Sequence, residues 1–405
     1  MAPVLVLAAA LRFWGAFDIP THIEDEAIHA ATALSLGSHG TTTDSNWAHP
    51  PLSGLLILGS ISLFGDNPHG WRSSNLLLGT ASVLLLFLIG ARLYPGTAAP
   101  LLAASLLAFD PFHVFHSRTT YMEVPVTFFF LLYLHGLLAY DGRNRWALLW
   151  AGVAAGLTAA TKAYFVLALP VAAGYAFLRA LRGGEKPAGL AAEFVAALIL
   201  LPTAVFLLCH LPWFARGFDL PEFFRMKADA LLALRGYQAE EFLNRSWLEA
   251  GGKPWEWFLK PIMFGKALPS DERTLRLLLE MNNFPFRLLS VPALLFVAYR
   301  AWRQRQAGEA LAPSLFVACY VLFLAAGRPL FSYSALVALP FAYLALARAV
   351  DLLSRRLGRP ALVPAASLAA VVLWGAYLYP LAAARAVPRA LYEPILPLVQ
   401  IVGGP

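Results

Sequence analysis

The sequence predicts an all-α polytopic membrane protein, and three observations support this fold class. Of its 405 residues, 59% are hydrophobic and 14% are charged, whereas a soluble globular domain carries about 25% charged residues. The apolar residues form long runs, and many approach the roughly 20 residues that a bilayer-spanning helix needs. The arginines between these runs are distributed so that they assign the loops to two sides of a membrane.

Eleven apolar runs are predicted to span the membrane, and we expect the first to be retained. It has no basic start and is followed by acidic residues instead of a small-residue cleavage site, so it does not fit a signal peptide. The run at 51–65 is too short to cross a bilayer comfortably and begins with two prolines. The predicted spans are 2–17, 71–91, 98–116, 123–140, 146–161, 163–180, 190–211, 285–301, 312–327, 330–348 and 361–380.

The basic residues decide how the run at 51–65 is placed, because short cytoplasmic loops collect Lys and Arg. The loop over 18–51 has five carboxylates and no Lys or Arg. If 51–65 does not span, this loop lies on the side opposite the Arg-rich loops. We therefore expect 51–65 to be an extracytoplasmic interfacial helix, with a cytoplasmic N-terminus and an extracytoplasmic C-terminus for the chain.

Two outer segments are then large enough to carry chemistry, 18–70 and 212–284. The second is rich in aromatic residues and proline, as expected of a folded cap at the membrane surface. We predict three parts: a catalytic transmembrane module over 1–211 that includes the outer loop 18–70, an aromatic-rich outer loop over 212–284, and C-terminal transmembrane helices over 285–405.

The net charge of +7 does not indicate nucleic-acid binding. The basic residues are mostly arginines set between apolar runs, without a basic stripe or a nucleic-acid motif. Cys209 and Cys319 both lie in apolar segments, so they predict neither a disulfide framework nor a zinc site.

The segment THIEDEAIHA, after the first run, is the first candidate site. Its apolar positions have helical spacing, and Thr21 is placed to cap the helix. The acidic residues of a first helical turn are also favoured by the helix dipole alone. The side chains at i, i+3, i+4 and i+7 would share one face, which makes them a weak candidate for a divalent metal site; they are His22, Asp25, Glu26 and His29. We otherwise expect no metal or cofactor.

Four charged residues fall at the outer ends of predicted spans: Arg72, Arg118, Glu123 and Lys162. Ionisable groups at such positions are costly and usually functional. A single one is also explained as a side chain that reaches from the apolar region to water. Four on the side that carries Asp25 make that explanation weaker.

With these residues in place, the sequence resembles the protein O-mannosyltransferase family and its bacterial relatives, including the aminoarabinose transferases that modify lipid A. These enzymes share the GT-C membrane fold. The resemblance runs nearly the whole length of the chain, in the same order. The similar segments are EDEAIHA, HPPL, SRTTYME, GLTAATKAYFVL, GKPWEWFLKPI, NNFPFRLLSVPALLF and GRPLFSYSALVALPF. The chain departs from the family at Glu24, where relatives have an aromatic residue, at Ser53 and Gly54, where the usual Lys is absent, and at Ser334, where many have His.

The resemblance implies that Asp25 is the catalytic base, that Glu26 positions donor or acceptor, and that Glu123 is the second acidic residue of the site. Elementary chemistry agrees, because a carboxylate must take the proton of the acceptor hydroxyl and cations must stabilise the departing phosphate. The residues expected near the lipid phosphate or its sugar are His49, Arg72, Arg118 and Lys162.

The implied activity is transfer of a mannose-like hexose from a polyprenyl-phosphate donor to a hydroxyl of a protein or envelope glycan, with inversion at the anomeric carbon. A lipid A or glycolipid modifier is an alternative within the same class. A transporter or flippase for the lipid-linked sugar is an alternative from another class, although the cytoplasmic side shows few polar residues besides arginine. We expect an integral multi-pass protein of a bacterial inner membrane, with its site on the extracytoplasmic face.

Overall fold

The computed structural model describes residues 1–41, 46, 48–236, 250–324 and 330–402, and helices dominate them. The first thirteen are α1 Ala2–Phe13, α2 Glu26–His39, α3 Leu52–Phe64, α4 Pro68–Leu93, α5 Ala98–Ala108, α6 Pro111–Ser117, α7 Glu123–Ala139, α8 Arg145–Thr161, α9 Leu169–Arg182, α10 Pro187–Val195, α11 Leu201–Cys209, α12 Leu211–Ala215 and α13 Leu220–Gly236.

The remaining helices and four short strands follow in the C-terminal part. They are β1 Met263–Ala267, β2 Thr274–Met281, α14 Phe284–Gln304, α15 Ala307–Leu324, α16 Leu339–Arg356, α17 Leu362–Ala382, β3 Ala386–Pro388, α18 Arg389–Tyr392 and β4 Gln400–Ile401. Short 3₁₀ helices cover Ala163–Ala168, Pro254–Glu256, Ser332–Val337 and Glu393–Leu398, and a π-helical turn over Ala196–Leu200 joins α10 to α11.

Five helices of the described chain are long and apolar enough to cross a membrane: Pro68–Leu93, Ala163–Arg182, Pro187–Cys209, Phe284–Gln304 and Leu362–Ala382. A sixth candidate is the pair α5 and α6, bent by 58°. Most other predicted spans coincide with helices that are shorter or less apolar, and residues 325–327 lie outside the described residues. A membrane protein with several spans is thus supported, and the count of eleven stays a prediction.

The helix α3 covers most of the run at 51–65 and is 13 residues long. At 1.5 Å per residue it is about 20 Å long, which is short of a hydrocarbon core of about 30 Å. This length fits the expected interfacial helix, whose placement on the outer face stays a prediction.

The chain divides into two compact units that alternate along the sequence. The first unit comprises Met1–Ala16, Leu93–Arg118 and Gln238–Pro405, and the second comprises Phe17–Arg92 and Thr119–Tyr237. This division describes packing, and the three functional parts expected from the sequence stay a prediction.

In the first unit, buried polar side chains support the break between α5 and α6. Asp110 caps α6, because its carboxylate accepts a hydrogen bond from the backbone N–H of His113 at 2.8 Å. Arg12, fully buried at the end of α1, donates to the carbonyls of Leu107 and Ala108 at the end of α5. A helix end leaves such carbonyls without partners, so Arg12 stabilises the bend.

The first unit also contains a four-stranded sheet in the order β3-β2-β1-β4, which the all-α prediction missed. β1 and β2 are antiparallel, with Gly265 opposite Leu279, and β4 runs parallel to β1. β3 pairs with β2 antiparallel, with Val387 opposite Leu275. The expectation of an all-α chain was therefore wrong in this region, where β3 and β4 join the β1–β2 pair from more than one hundred residues away in sequence.

In the second unit, small residues bring the helices together. The core between α2, α3 and the start of α4 consists of Ala30, Ala33, Ile57, Ile61 and Trp71. Gly136 of α7 lies against α8 so closely that an added Cβ would be 2.9 Å from the carbonyl oxygen of Ala147. Close approach through small residues is typical of helix packing in membranes, and it holds the helices that carry the candidate site.

Candidate active site around Asp25

The acidic segment of the first outer loop forms a tight turn before α2 instead of the predicted helix start. Glu24 has a φ of +51°, and α2 begins only at Glu26, with Asp25 as its N-cap residue. The side chain of Asp25 is half-buried and makes no capping hydrogen bond. The predicted cap at Thr21 was therefore wrong, and Asp25 directly precedes the first residue of α2.

The predicted common face of His22, Asp25, Glu26 and His29 was wrong for the same reason, since only Glu26 and His29 lie within α2. The His22 ring instead packs on Trp71, with ring centroids 3.9 Å apart. Within the described ranges, no group of three or more His, Cys, Asp or Glu side chains could hold a metal ion. These four side chains therefore do not form the common helix face expected from their spacing.

Glu26 forms a buried ion pair with Arg72 of α4. Arg72 donates from Nε to both carboxylate oxygens at 3.0 and 3.2 Å and from Nη2 to Oε2 at 2.7 Å. Both residues are fully buried. Arg72 also donates to the carbonyls of Ile19 and Thr21, so it connects the loop before α2 to α4.

The carboxylate of Glu26 also organises the turn itself, because Oε2 accepts a hydrogen bond from the backbone N–H of Ile23 at 2.9 Å. The backbone N–H of Glu26 in turn donates to the Ile23 carbonyl at 3.0 Å. Arg72 and Glu26 therefore hold the loop that presents Asp25. The expected contact of Arg72 with the lipid phosphate stays a prediction.

A second buried ion pair joins Glu123, the first residue of α7, to Lys162, which follows α8. Both residues are buried, and the Lys162 ammonium lies 5.5 Å from the centroid of the Tyr164 ring. Glu123 and Lys162 lie close enough to His29 of α2 for their charges to influence the pKa of its imidazole. Burial lowers the pKa of the His29 imidazole to about 4, so His29 is neutral at pH 7.

Tyr121 links the two acidic motifs. Its hydroxyl donates a hydrogen bond to Oε2 of Glu24 at 2.8 Å. Asn75 of α4 fixes the segment around Tyr121, because its Nδ2 donates to the carbonyls of Thr119 and Tyr121 at 2.8 and 2.9 Å. The second unit thus contains five of the predicted site residues: Asp25, Glu26, Arg72, Glu123 and Lys162.

Three features of this site were not predicted from the sequence: the hydrogen bond to Glu24, the role of Tyr121 and the role of Asn75. Tyr121 stands inside the segment SRTTYME, which was noted for its Arg and Glu. Asn75 lies three residues after Arg72, so both project from one face of α4. The sequence signal that could have identified Asn75 is an amide on the same helix face as Arg72.

Arg118 lies in the first unit and stabilises the end of α1. Its Nη1 donates to the carbonyls of Arg12 and Trp14, each at 2.9 Å, and its Nη2 donates to the carbonyl of Gly15 at 3.0 Å. These contacts satisfy the carbonyls that a helix end leaves without partners. A role of Arg118 in phosphate binding stays a prediction.

His49 lines a pocket of about 300 Å³ in the second unit, near the C-terminal end of α2. The other lining residues are Leu36, Gly40, Thr41, Pro51, Cys209, His210, Pro212, Trp213, Met226 and Lys227. Most of them are apolar. Burial lowers the pKa of Lys227 to about 8.

Comparison with known proteins identifies relatives for much of the chain. Residues 48–211 match a family described as dolichyl-phosphate-mannose-protein mannosyltransferase. A polyprenol-phosphate-mannose–protein mannosyltransferase of Mycobacterium tuberculosis is 29% identical over 329 residues, which are 64% of this chain and 62% of that protein. The matched part of the chain thus spans less than two thirds of this relative.

An undecaprenyl phosphate-alpha-4-amino-4-deoxy-L-arabinose arabinosyl transferase of Pseudomonas fluorescens is 29% identical over 247 residues, covering 55% of this chain and 40% of that protein. Among solved structures, the Saccharomyces cerevisiae protein O-mannosyltransferase Pmt1-Pmt2 complex bound to the sugar donor gives a TM-score of 0.77 at 12% identity. That match covers 95% of this chain and 89% of the solved chain. The resemblance of this chain to protein O-mannosyltransferases and aminoarabinose transferases is therefore confirmed, together with the GT-C fold.

Proposed function

We propose that the protein is a membrane glycosyltransferase that transfers a mannose-like hexose from a polyprenyl-phosphate-linked donor to a hydroxyl of a protein or an envelope glycan. The observation that carries this proposal is the turn before α2, which places three consecutive carboxylates in the unit that also holds the buried Lys162. Hydrogen bonds from Tyr121 to Glu24 and from Arg72 to Glu26 hold this turn, and Asp25, with a half-buried side chain, is the N-cap residue of α2. We assign proton transfer to the Asp25 carboxylate.

In the proposed reaction, the Asp25 carboxylate takes the proton of the acceptor hydroxyl as the oxygen attacks the anomeric carbon. The bond between that carbon and the phosphate oxygen breaks, and the polyprenyl phosphate leaves with the bonding electron pair. One displacement of this kind inverts the anomeric configuration. General base catalysis contributes about 10²- to 10⁴-fold to such a step.

The departing phosphate gains negative charge, which a nearby cation stabilises. Lys162 is the best-supported cation, because it lies at the end of α8 in the second unit, beside Glu123 and close to His29 of α2. An ammonium has three N–H donors, so Lys162 can hold Glu123 and contact a phosphate oxygen at the same time. We assign supporting phosphate or sugar contacts to His49, Arg72 and Arg118.

The reaction requires no redox step, and the proposed mechanism uses no metal cofactor. We propose that the site faces the extracytoplasmic side of a bacterial inner membrane. The charge distribution supports this side, because the loop over 18–51 has no Lys or Arg while the opposite loops are rich in arginine.

Transfer to lipid A or another glycolipid is the second candidate. The similarity to the Pseudomonas fluorescens arabinosyl transferase favours it. A flippase for the same lipid would not need a base at Asp25, so catalysis separates these classes. Mass spectrometry of secreted proteins and of lipid A from a deletion strain would distinguish a protein acceptor from a lipid acceptor.

The central test is sugar transfer by purified protein in lipid nanodiscs, with polyprenyl-phosphate mannose as donor. We expect Asp25→Asn to lower transfer by at least about 100-fold, because the amide cannot accept the proton. Asp18→Asn is the matched control, since it makes the same change at an exposed position of the same loop. Wild-type transfer by Asp25→Asn would contradict the assignment of the base, and lipid flipping without transfer would support the flippase.

A further inference from the structure

Three consecutive carboxylates stand at the start of α2, and the two outer ones have separate partners. Glu26 is paired with Arg72. Glu24 accepts a hydrogen bond from the Tyr121 hydroxyl at 2.8 Å. Asp25 lies between them, so the direction of its side chain depends on how both neighbours are held.

Glu24 is held in an unfavourable backbone conformation. Its φ of +51° is in the left-handed region, which is sterically unfavourable for a residue other than glycine. Such conformations persist only where surrounding contacts enforce them, and they concentrate at functional sites. The hydrogen bond from Tyr121 is one such contact, because hydrogen bonds to charged groups are stronger than those between neutral groups.

Tyr121 is itself well fixed. It is 5% exposed, and Asn75, 1% exposed, donates two hydrogen bonds to the backbone of its segment. Arg72 and Asn75 project from one face of α4. This face therefore positions both ends of the turn, Glu26 through Arg72 and Glu24 through the segment of Tyr121.

We propose that Glu24 and Tyr121 are positioning residues for Asp25. The Tyr121 hydroxyl keeps Glu24 in its left-handed turn, and this turn directs the Asp25 carboxylate toward the acceptor hydroxyl. The inference rests on the proposed function, since it requires Asp25 to act as the base. It also gives a reason for a carboxylate at Glu24, where the resembling enzymes have an aromatic residue.

Loss of the bond lets residue 24 relax to a negative φ and displaces the Asp25 carboxylate. A displacement of about 1 Å costs a reaction on the order of 100-fold. We therefore expect Tyr121→Phe and Glu24→Ala to lower kcat by about 10- to 100-fold. The KM values for donor and acceptor should stay near those of the wild type, because neither residue binds the substrates in this proposal.

Two further substitutions separate this role from others. Glu24→Gln keeps an oxygen that accepts from the Tyr121 hydroxyl, so its kcat should stay close to that of the wild type. Glu24→Gly loses the bond but adopts a positive φ without steric cost, so it should retain more activity than Glu24→Ala. The acidic limb of the kcat–pH profile should not move in active variants, because Asp25 remains the base.

Tyr299→Phe, an exposed tyrosine in α14, is the matched control, and equal thermal midpoints in detergent exclude misfolding. A wild-type kcat for both Tyr121→Phe and Glu24→Ala would overturn the inference. So would Glu24→Gln as impaired as Glu24→Ala, because the charge and not the bond would then matter. If the wild-type protein transfers no sugar, the proposed function fails instead, which distinguishes the two conclusions.

Discussion

The guanidinium of Arg72 and the carboxylate of Glu26 form an ion pair that is closed to solvent on both sides, with Nη2 2.7 Å from Oε2. The pair connects α4 to the loop that carries Asp25. Removing one partner of a buried ion pair leaves an uncompensated charge, whereas replacing both partners is often tolerated. The pair is therefore expected to control both the folding of this loop and the reactivity of Asp25.

Arg72→Met is predicted to lower the free energy of unfolding by about 3–5 kcal/mol, because Glu26 stays buried without its cation. Arg72→Met combined with Glu26→Leu should recover much of that stability without recovering sugar transfer, since the contacts to Ile19 and Thr21 remain lost. Thermal unfolding in detergent measures the first effect, and the transfer assay measures the second.

The exposed pair Arg145 and Glu193 is the control for that comparison, because the Arg145 side chain is 76% exposed. An exposed ion pair contributes about 0–1 kcal/mol, so Arg145→Met should change stability little. Equal losses of stability in Arg72→Met and Arg145→Met would show that burial of the Arg72 pair has no energetic consequence.

Single and double substitutions at Glu123 and Lys162 should separate the effect of this ion pair on stability from its effect on sugar transfer. Lys162→Gln alone leaves Glu123 buried and unpaired, so it should destabilise the protein and abolish transfer. Glu123→Gln combined with Lys162→Gln removes both charges, so the protein should fold with a thermal midpoint closer to that of the wild type. Transfer should still fall by at least about 100-fold, because no ammonium stabilises the departing phosphate.

Glu256→Gln combined with Lys260→Gln is the matched control, because it makes the same double change at a pair whose lysine side chain is exposed. This control should leave transfer unchanged. An active Glu123→Gln, Lys162→Gln protein would mean that this pair is structural and that another cation binds the phosphate.

The sequence predicted the helical membrane character because composition and the distribution of arginine report directly on the solvent around a helix. It did not predict where α2 begins. The spacing from His22 to His29 fits a helix, but the carbonyls of Ile19 and Thr21 accept from Arg72, and Glu24 turns left-handed. A tertiary contact 46 residues away in sequence, between Arg72 and Glu26, thus overrides the local pattern.

The sheet was missed for a related physical reason. The second half of β2 is continuously buried and mostly apolar, without alternation, so its pattern resembles that of a buried helix. Its partner β3 comes from beyond α17 and supplies three residues. The cations were identified as important from their cost at the membrane boundary, but a sequence does not reveal that Arg118 donates to the carbonyls at the end of α1.

His29 predicts a loss of stability in mild acid. Its pKa is about 4 in the folded protein because burial disfavours the charged form, against about 6.5 in an unfolded chain. Between these values the unfolded state binds more protons, so stability falls as pH decreases from 6.5 toward 4, by up to about 3 kcal/mol. His29→Gln should show a smaller loss over this range than the wild type.

Thermal midpoints at about pH 7.0, 6.0, 5.0 and 4.5 would measure this difference, because these pH values cover the range between the folded pKa of about 4 and the unfolded pKa of about 6.5. His39→Gln, an exposed histidine at the end of the same helix, should follow the wild type. Equal acid sensitivity of His29→Gln and wild type would contradict the assignment of a neutral buried imidazole.

The topology predicts which side of the membrane each loop reaches, and single cysteines can measure it. In a chain with Cys209→Ala and Cys319→Ala, Ser38→Cys lies exposed at the end of α2 and Lys186→Cys lies exposed before α10. A membrane-impermeant maleimide applied to intact spheroplasts should label Ser38→Cys directly and Lys186→Cys only after permeabilisation. The reason is that we expect the basic loop containing Lys186 to be cytoplasmic, opposite the acidic loop of Asp25. Labelling of both cysteines from one side would place α3 across the membrane, and labelling in the reverse order would put Asp25 in the cytoplasm, where a site facing the envelope could not operate.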